Sequence, residues 1–197
     1  KETINRWIVG ETAKTLKEVN TAYDQFRFND AAQALYNFVW GIVCDWYVEL
    51  SKPLLSSADR NVKIETQQTM GWVIDQCLIL LHPIMPFITE ELWETLAPRS
   101  NMLVHCDWPE FDSSFLDKSA DREMNWVVNL IESIRSARAQ MRVPAGLKIP
   151  MIYLDMDPDA KKAWENNHKM IKKLARITEL KNANEIPKGS IALTAKG

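Results

Sequence analysis

Apolar residues recur at helical spacing through the first half of the chain and predict four helices there. The first helix carries the stripe Ile4, Trp7, Ile8, Leu16 and Val19. The second covers residues 30–52, and Ser57 is expected to cap the third. Pro86 is expected to begin the fourth, which ends near Pro98, because proline suits the first turn of a helix. Short connections between such helices favour an antiparallel bundle.

The second helix carries more large aromatic side chains than one buried stripe can accommodate. Asn29 is its expected N-cap, and Pro53 is expected to end it because proline lacks an N–H and disfavours a helical residue before it. The rings in question are Tyr36, Trp40, Trp46 and Tyr47. Such a helix is typical of the middle of a bundle, or of a surface that presents aromatic rings to a flat ligand.

The second half of the chain mixes helix and strand patterns. A helix is predicted from Asp121 to Val143 and a strand from Ile149 to Leu154. A basic helix follows from Pro158 to about Ala175, and short strands near 177–182 and 190–194 complete a small sheet. We therefore predict a mainly α protein: a helical bundle (1–97), a linker (98–120), and a helix with a small α/β module (121–197).

Composition describes an ordinary globular protein, because 46% of the 197 residues are apolar and 25% are charged. Residues 1–97 hold 8 basic and 13 acidic residues, whereas residues 135–181 hold 11 basic and 5 acidic ones. Attraction for a polyanion is therefore expected in the second half. Three unpaired cysteines (Cys44, Cys77 and Cys106), the first two on apolar helix faces, predict reduced thiols and a cytoplasmic location.

Residues for catalysis are hard to find in this sequence. It contains no glycine-rich phosphate loop, no nucleophile elbow, and no zinc-ligand spacing among its histidines and cysteines. His82 precedes a proline at a helix break, which predicts a structural role. We predict no catalytic residue, no metal site, no cofactor and no membrane segment in this chain.

Three segments resemble the anticodon-binding region of the valyl-tRNA synthetases, class I aminoacyl-tRNA synthetases. They read AAQALYNFVWGIVCDWYVELSKP (31–53), LLHPIMPFITEELWETL (80–96) and IRSARAQMRVPAGLKIPMIYLD (134–155). The C-D-W-Y run within 31–53 is the valyl-like element, whereas the second segment is similar in the leucine and isoleucine enzymes. One departure is Val9-Gly10-Glu11, where the family usually has Leu-Ser-Arg.

This resemblance implies a function for the region and for a longer parent enzyme. The parent would ligate valine to tRNA(Val) with ATP and Mg²⁺ and would edit mischarged threonine, in catalytic and editing domains outside this chain. The region itself would bind the anticodon stem-loop of tRNA(Val), with the remaining synthetase domains as its other partner. The equivalent domain of an isoleucyl or leucyl enzyme, or a helical protein-interaction scaffold without RNA binding, remains an alternative.

RNA loops are recognised by stacking on aromatic rings and by hydrogen bonds from cations and amides. The candidate RNA-binding residues are Arg6, Trp7, Arg27, Phe28, Asn29, Trp46, Lys52, Arg135, Arg138 and Arg142. Phe28 could instead be a hydrophobic staple, and the two tryptophans could belong to the core. The last three arginines are spaced to share one helix face, on which Arg138 is expected to have a structural role.

Overall fold

A computed structural model of the chain describes residues 2–185 and Ser190. Its contacts form two compact units, which meet in sequence between Asp117 and Lys118. The first unit is helical and the second contains a small parallel sheet, so the predicted fold class is confirmed. The strand predicted near 190–194 falls almost wholly outside the described residues. Within the described part of the chain, no helix is long and apolar enough to cross a membrane.

The first unit is a bundle built from α1 to α5. Its elements are α1 (Thr3–Asp24), α2 (Phe28–Tyr36), a π-helical segment (Asn37–Tyr47), α3 (Val48–Leu55), α4 (Arg60–Leu81) and α5 (Pro86–Leu96). The π-helical segment joins α2 to α3 without a break, so these three form one long helix. Helix α1 packs against α2, the π-helical segment and α4, and α4 also packs against α3 and α5.

The π-helical segment explains why the aromatic rings of this long helix point in several directions. Its hydrogen bonds span five residues: the N–H of Val48 donates to the carbonyl of Val43. The wider turn changes which side chains face the core. Trp46 is buried, whereas Trp40 is 59% exposed and Cys44 is exposed. The prediction that Cys44 lies on a buried face is therefore wrong, because it assumed an uninterrupted α-helix.

Both ends of this long helix differ from the sequence prediction. The helix begins at Phe28, since the carbonyl of Arg27 accepts hydrogen bonds from the N–H groups of Asp30 and Ala31. Asn29 therefore lies inside the first turn. At the other end, Pro53 lies inside α3 and the helix continues to Leu55. A proline removes the hydrogen bond of its own nitrogen, but the residues after it can still form theirs.

Other helix boundaries follow ordinary capping chemistry. The cap of α4 is Asp59, whose carboxylate accepts from Asn61 N at 2.8 Å, and the predicted cap Ser57 instead accepts from Asp59 N at 3.1 Å. Pro86 begins α5, as predicted. The structural role expected of His82 is also observed, because its Nδ1 lies 2.8 Å from the hydroxyl of Thr89.

Residues 98–117, predicted as part of a linker, pack onto the first unit. Phe111 contacts a core cluster formed by α1, α2 and α4, and its ring centroid lies 5.5 Å from that of Trp72 and 4.8 Å from that of Phe115. The guanidinium of Arg99 forms a bidentate pair with Asp75, with N–O distances of 3.0 and 2.5 Å. These contacts attach the segment to the helices. Its composition, rich in polar and turn-forming residues, does not indicate this attachment.

The second unit contains α6 (Lys118–Gln140), β1 (Ile149–Tyr153), α7 (Pro158–Ala175) and β2 (Ile177–Asn182). The two strands pair in parallel, and α7 forms the crossover between them. Helix α7 starts where predicted because Asp157 caps it: its carboxylate accepts from Ala160 N at 2.8 Å. Helix α6 packs against α7 and covers its apolar side.

A buried hydrogen-bond network joins three helices of the first unit. The Asn5 side chain on α1 donates to Glu65 Oε1 at 3.0 Å and to Thr66 Oγ1 at 3.1 Å, both on α4. Its oxygen accepts from the hydroxyl of Tyr47, the last residue of the π-helical segment, at 3.1 Å. Burial raises the pKa of Tyr47, so this hydroxyl keeps its proton and remains a donor.

Replacing Tyr47 by phenylalanine tests this network. We expect Tyr47→Phe to lower the free energy of unfolding by about 1–3 kcal/mol, because Asn5 then has a buried carbonyl oxygen without its donor. Urea denaturation measures the change. The matched control is Tyr36→Phe. The ring of Tyr36 is 60% exposed, so removal of its hydroxyl should change the free energy of unfolding by less than about 0.5 kcal/mol. Equal unfolding midpoints for the two variants would contradict the role assigned to Tyr47.

Candidate nucleic-acid interface

Four aromatic rings meet where α1 turns into α2, and we call them the aromatic corner: Tyr23, Phe26, Phe28 and Trp108. The ring of Tyr23 lies between its neighbours, 6.1 Å from Phe28 and 6.2 Å from Trp108. Trp108 is held in place because its Nε1 donates to Asn20 Oδ1 at 2.8 Å. The two phenylalanines are the most exposed members, at 80% for Phe26 and 61% for Phe28.

The polar groups beside these rings are fixed by one carboxylate. Asp30 Oδ2 pairs with Arg27 Nε at 3.3 Å, and Asp30 Oδ1 accepts from Asn29 Nδ2 at 2.8 Å. The ion pair uses one of the five N–H donors of the guanidinium. Both Arg27 and Asn29 are largely exposed, so the remaining donors and the amide oxygen of Asn29 face solvent. Asp30 therefore orients a cation and an amide on either side of Phe28.

Backbone groups add a further binding element to the corner. The long helix begins at Phe28, and the first N–H groups of a helix have no partner within it. Such N–H groups, with the positive end of the helix dipole, attract phosphate. Exposed rings, a cation, an amide and a helix N-terminus are the groups that bind unpaired bases and the phosphates that link them. The arrangement suits a nucleic-acid loop better than a small organic substrate.

A groove of about 1100 Å³ adjoins the corner between α1 and the segment 109–116. Lys14, Lys17 and Arg27 line it, together with acidic residues that include Asp24 and Asp112. The lining therefore carries charges of both signs, with three basic and five acidic residues. Such a groove offers separate contacts to phosphates and to base donors rather than one uniformly positive surface.

The other candidates of the first unit lie away from the corner. Trp7 and Trp46 are 3% and 7% exposed, so both belong to the core, and their predicted contact with RNA is corrected. Large rings are buried wherever a neighbouring helix can cover them. Arg6 is half-buried, donates to Thr3 Oγ1 at 3.2 Å and pairs with a carboxylate of the same unit. Lys52 is exposed and pairs with Glu49 one turn before it.

The three arginines of the second unit do not share a helix face. Helix α6 ends at Gln140, and Arg142 follows in a left-handed conformation with φ 54°. The helix stops early because Pro144 disfavours helical geometry in the residue before it. Arg135 is exposed and donates from Nε to the carbonyl of Leu174 at 3.3 Å.

Arg138 is a structural residue, as expected, and its prediction as an RNA contact is corrected. It is 8% exposed, and its guanidinium donates to the carbonyls of Pro144 at 3.1 Å, Leu147 at 2.6 Å and Arg176 at 3.4 Å. These bonds connect α6 to the loop before β1 and to the start of β2. With 8% of its surface exposed, Arg138 has little room to contact a phosphate.

Sequence reasoning missed several residues of the corner. Phe26 could have been suspected from the alternation of Phe26, Arg27 and Phe28. Trp108 lies 80 residues after Phe28, and only the fold brings it near. Two further exposed rings, Tyr36 at 60% and Trp40 at 59%, lie on the same long helix beyond its first two turns.

Exposed apolar residues on and before α5 form a different kind of surface. Phe87 is 90% exposed and Ile88 is 50% exposed, and three glutamates lie on the same helix. This surface has apolar side chains and negative charge instead of cations and amides. It is therefore not a candidate for binding phosphate.

Comparison with known proteins identifies the family to which the chain belongs. Residues 5–153 match the family described as the anticodon-binding domain of tRNA ligase. The match covers nearly all of the bundle, together with α6 and β1. The chain belongs to this family. Its anticodon-binding fold therefore carries the aromatic corner within the matched region.

Relatives of this anticodon-binding domain are valine–tRNA ligases. The chain is 60% identical to the enzyme of Ruegeria pomeroyi, and this match covers all of the chain. It is 54% identical to the enzyme of Cereibacter sphaeroides over 99% of the chain and 42% identical to that of Caulobacter vibrioides over 96% of the chain. The chain spans about a fifth of the length of these curated relatives, at 19%, 20% and 21%. Among the described residues, no cluster of histidine, cysteine and acidic side chains is placed to hold a metal ion.

The structural role of Arg138 leads to a prediction for the second unit. Arg138→Gln should destabilise this unit by roughly 1.5–3 kcal/mol, because buried carbonyls lose a charged donor. Arg142→Gln is the matched control: its side chain is exposed, and stability should change by less than about 0.5 kcal/mol. Hydrogen exchange of the α6 and α7 amides measures both. Equal protection in the two variants would show that Arg138 does not hold the loop and strands together.

Proposed function

We propose that this chain is the anticodon-recognition part of a valine–tRNA ligase and binds the anticodon stem-loop of tRNA(Val) at the aromatic corner. The observation that carries the proposal is the grouping of an exposed Phe28 with Arg27 and Asn29 at a helix N-terminus, in a chain that matches anticodon-binding domains over residues 5–153. The names of the relatives support the choice of valine.

Each corner residue has a distinct role in this proposal. The ring of Phe28 stacks on an unpaired loop base, since stacking requires an exposed aromatic face and no particular sequence. Arg27 donates to a phosphate or a base edge, and Asn29 hydrogen-bonds the Watson–Crick edge of a base. Asp30 is a positioning residue, because it holds both neighbours. Arg6, Lys52, Arg135 and Arg142 are left as peripheral phosphate contacts.

In the parent ligase, anticodon binding would position the acceptor end of the tRNA at a distant active site. That active site, with ATP and Mg²⁺, would join valine to tRNA(Val), and an editing domain would remove mischarged threonine. We place these activities outside this chain and expect the parent to work in the cytoplasm. The remaining synthetase domains are then the second partner of this region.

Binding measurements on the 197-residue chain test the proposal. The ligands are a stem-loop with the tRNA(Val) anticodon, the same stem with an isoleucine or leucine anticodon, and the stem as a closed duplex. We expect the valine loop to bind most tightly and the logarithm of its affinity to fall with the logarithm of salt concentration. Preference for another anticodon would favour the isoleucyl or leucyl alternative, and the absence of both discrimination and salt dependence would favour a protein scaffold.

A substitution at Phe28 tests the corner itself. Phe28→Ala should weaken binding of the valine loop by roughly 1–3 kcal/mol, because one stacked base loses its platform. The melting temperature should change little, since the ring is mostly exposed.

The control for Phe28 is Phe87→Ala, which removes an even more exposed ring, at 90% against 61%, from α5 and should leave RNA affinity unchanged. If Phe28→Ala instead lowers the melting temperature, and binding changes only with the unfolded fraction, Phe28 is a hydrophobic staple.

A further inference from the structure

Phe26 combines two energetically unfavourable features. Its φ is 56°, in the left-handed region that a bulky residue adopts only at a cost, and its ring is 80% exposed to water. Three non-glycine residues of the described chain have positive φ: Phe26, Arg142 and Arg176. The two arginines place polar side chains in solvent, which is favourable. Phe26 alone among these three places an apolar side chain there.

The end of α1 does not require a phenylalanine at this position. The N–H of Phe26 donates to Tyr23 O at 2.9 Å and the N–H of Arg27 donates to Ala22 O at 2.8 Å, the two bonds of a Schellman motif. The left-handed residue of this motif is usually glycine, which has no Cβ to strain. The hydrophobic contact that often accompanies the motif involves the following residue, so the ring of Phe26 is not part of it. Strain kept without structural benefit indicates a binding role.

The orientation of the ring indicates what it can bind. The ring centroids of Phe26 and Phe28 lie 6.4 Å apart and their planes meet at 75°, an edge-to-face pair. Rings in this arrangement cannot hold one flat base between them. Their open faces point in different directions, so each can accept its own base. Two bases bound in this way cannot be stacked on each other, which excludes consecutive bases of a regular duplex.

We propose that Phe26 is a second base-stacking platform, which holds an unpaired nucleobase splayed away from the base on Phe28. This inference rests on the proposed function, because it assumes that the corner binds an RNA loop. The left-handed backbone of Phe26 has a positioning role: it turns the ring out of the α1 surface and across the edge of Phe28. Arg27 lies between the two rings in sequence, with its side chain exposed to a phosphate that links the two nucleotides.

Three substitutions separate stacking from other roles of the ring. Phe26→Gly removes the ring and the backbone strain together, Phe26→Leu keeps an apolar side chain without a π face, and Phe26→Tyr keeps the aromatic face. We expect Phe26→Gly and Phe26→Leu to weaken binding of the valine-anticodon stem-loop by roughly 5- to 150-fold, the range for one stacked base. Phe26→Tyr should bind within about twofold of the original chain. The melting temperature of Phe26→Gly should be unchanged or higher.

A fluorescent base assigns each ring to its nucleotide. Stem-loops carrying 2-aminopurine at one loop position at a time report stacking through a change in fluorescence on binding. All measurements use a protein concentration well above the dissociation constant, so that the RNA is bound. At one loop position the fluorescence change should disappear with Phe26→Gly and remain with Phe28→Ala. A different position should show the reverse. Loss at the same position in both variants would mean that the two rings serve one base, which overturns the proposal.

The outcomes distinguish this inference from the proposed function. If Phe28→Ala weakens binding and Phe26→Gly does not, the anticodon proposal stands and the second platform is wrong. In that case the exposed ring is left for a protein contact. A lower melting temperature with Phe26→Gly, or full affinity with Phe26→Leu, would likewise overturn stacking by Phe26. If the original chain does not prefer loop to duplex RNA, both proposals fall.

Discussion

The side-chain amide of Asn5 fixes how three helices of the first unit meet. It donates twice to α4 and accepts once from Tyr47, so α1, α4 and the end of the π-helical segment share one buried polar junction. Apolar packing alone tolerates small slides between helices, whereas buried hydrogen bonds are lost unless the alignment is kept. Helix α1 extends about 30 Å from this junction to the turn that carries Phe26. The aromatic corner therefore depends on a contact at the opposite end of the helix.

Much of the fold could be predicted from the sequence because local signals and packing agreed. Helix α7 began and ended at the expected residues, since Pro158 and its cap are local features. The two ends of the long helix were predicted at the wrong residues, because a local sequence signal did not decide where the helix stops or starts. Pro53 was overridden because only its own hydrogen bond is lost, and Asn29 bonds to Asp30 instead of capping the helix. The exposure of Trp40 could not be foreseen without knowledge of the π-helical turn.

The candidate site was predicted only in part. Arg27, Phe28 and Asn29 are consecutive, so a sequence pattern could reveal them, whereas Trp108 reaches the corner through tertiary structure. Some basic residues of the second half are engaged within the protein. Arg138 is used inside the fold, and Lys181 pairs with Glu179. The positive charge available at a surface is therefore smaller than the sequence suggests.

The π-helical segment makes this region sensitive to chain length rather than to side-chain size. At Gly41 an added Cβ would meet no atom of the described residues within 4 Å, so the position has room for a larger residue. Loss of one residue from 37–47 would instead narrow these wide turns toward an ordinary α-helix and would change which side chains of α3 face α4. Leu50 and Ser51, now fully buried, would turn away from α4. Insertions and deletions should therefore be much rarer than substitutions here during the divergence of these domains.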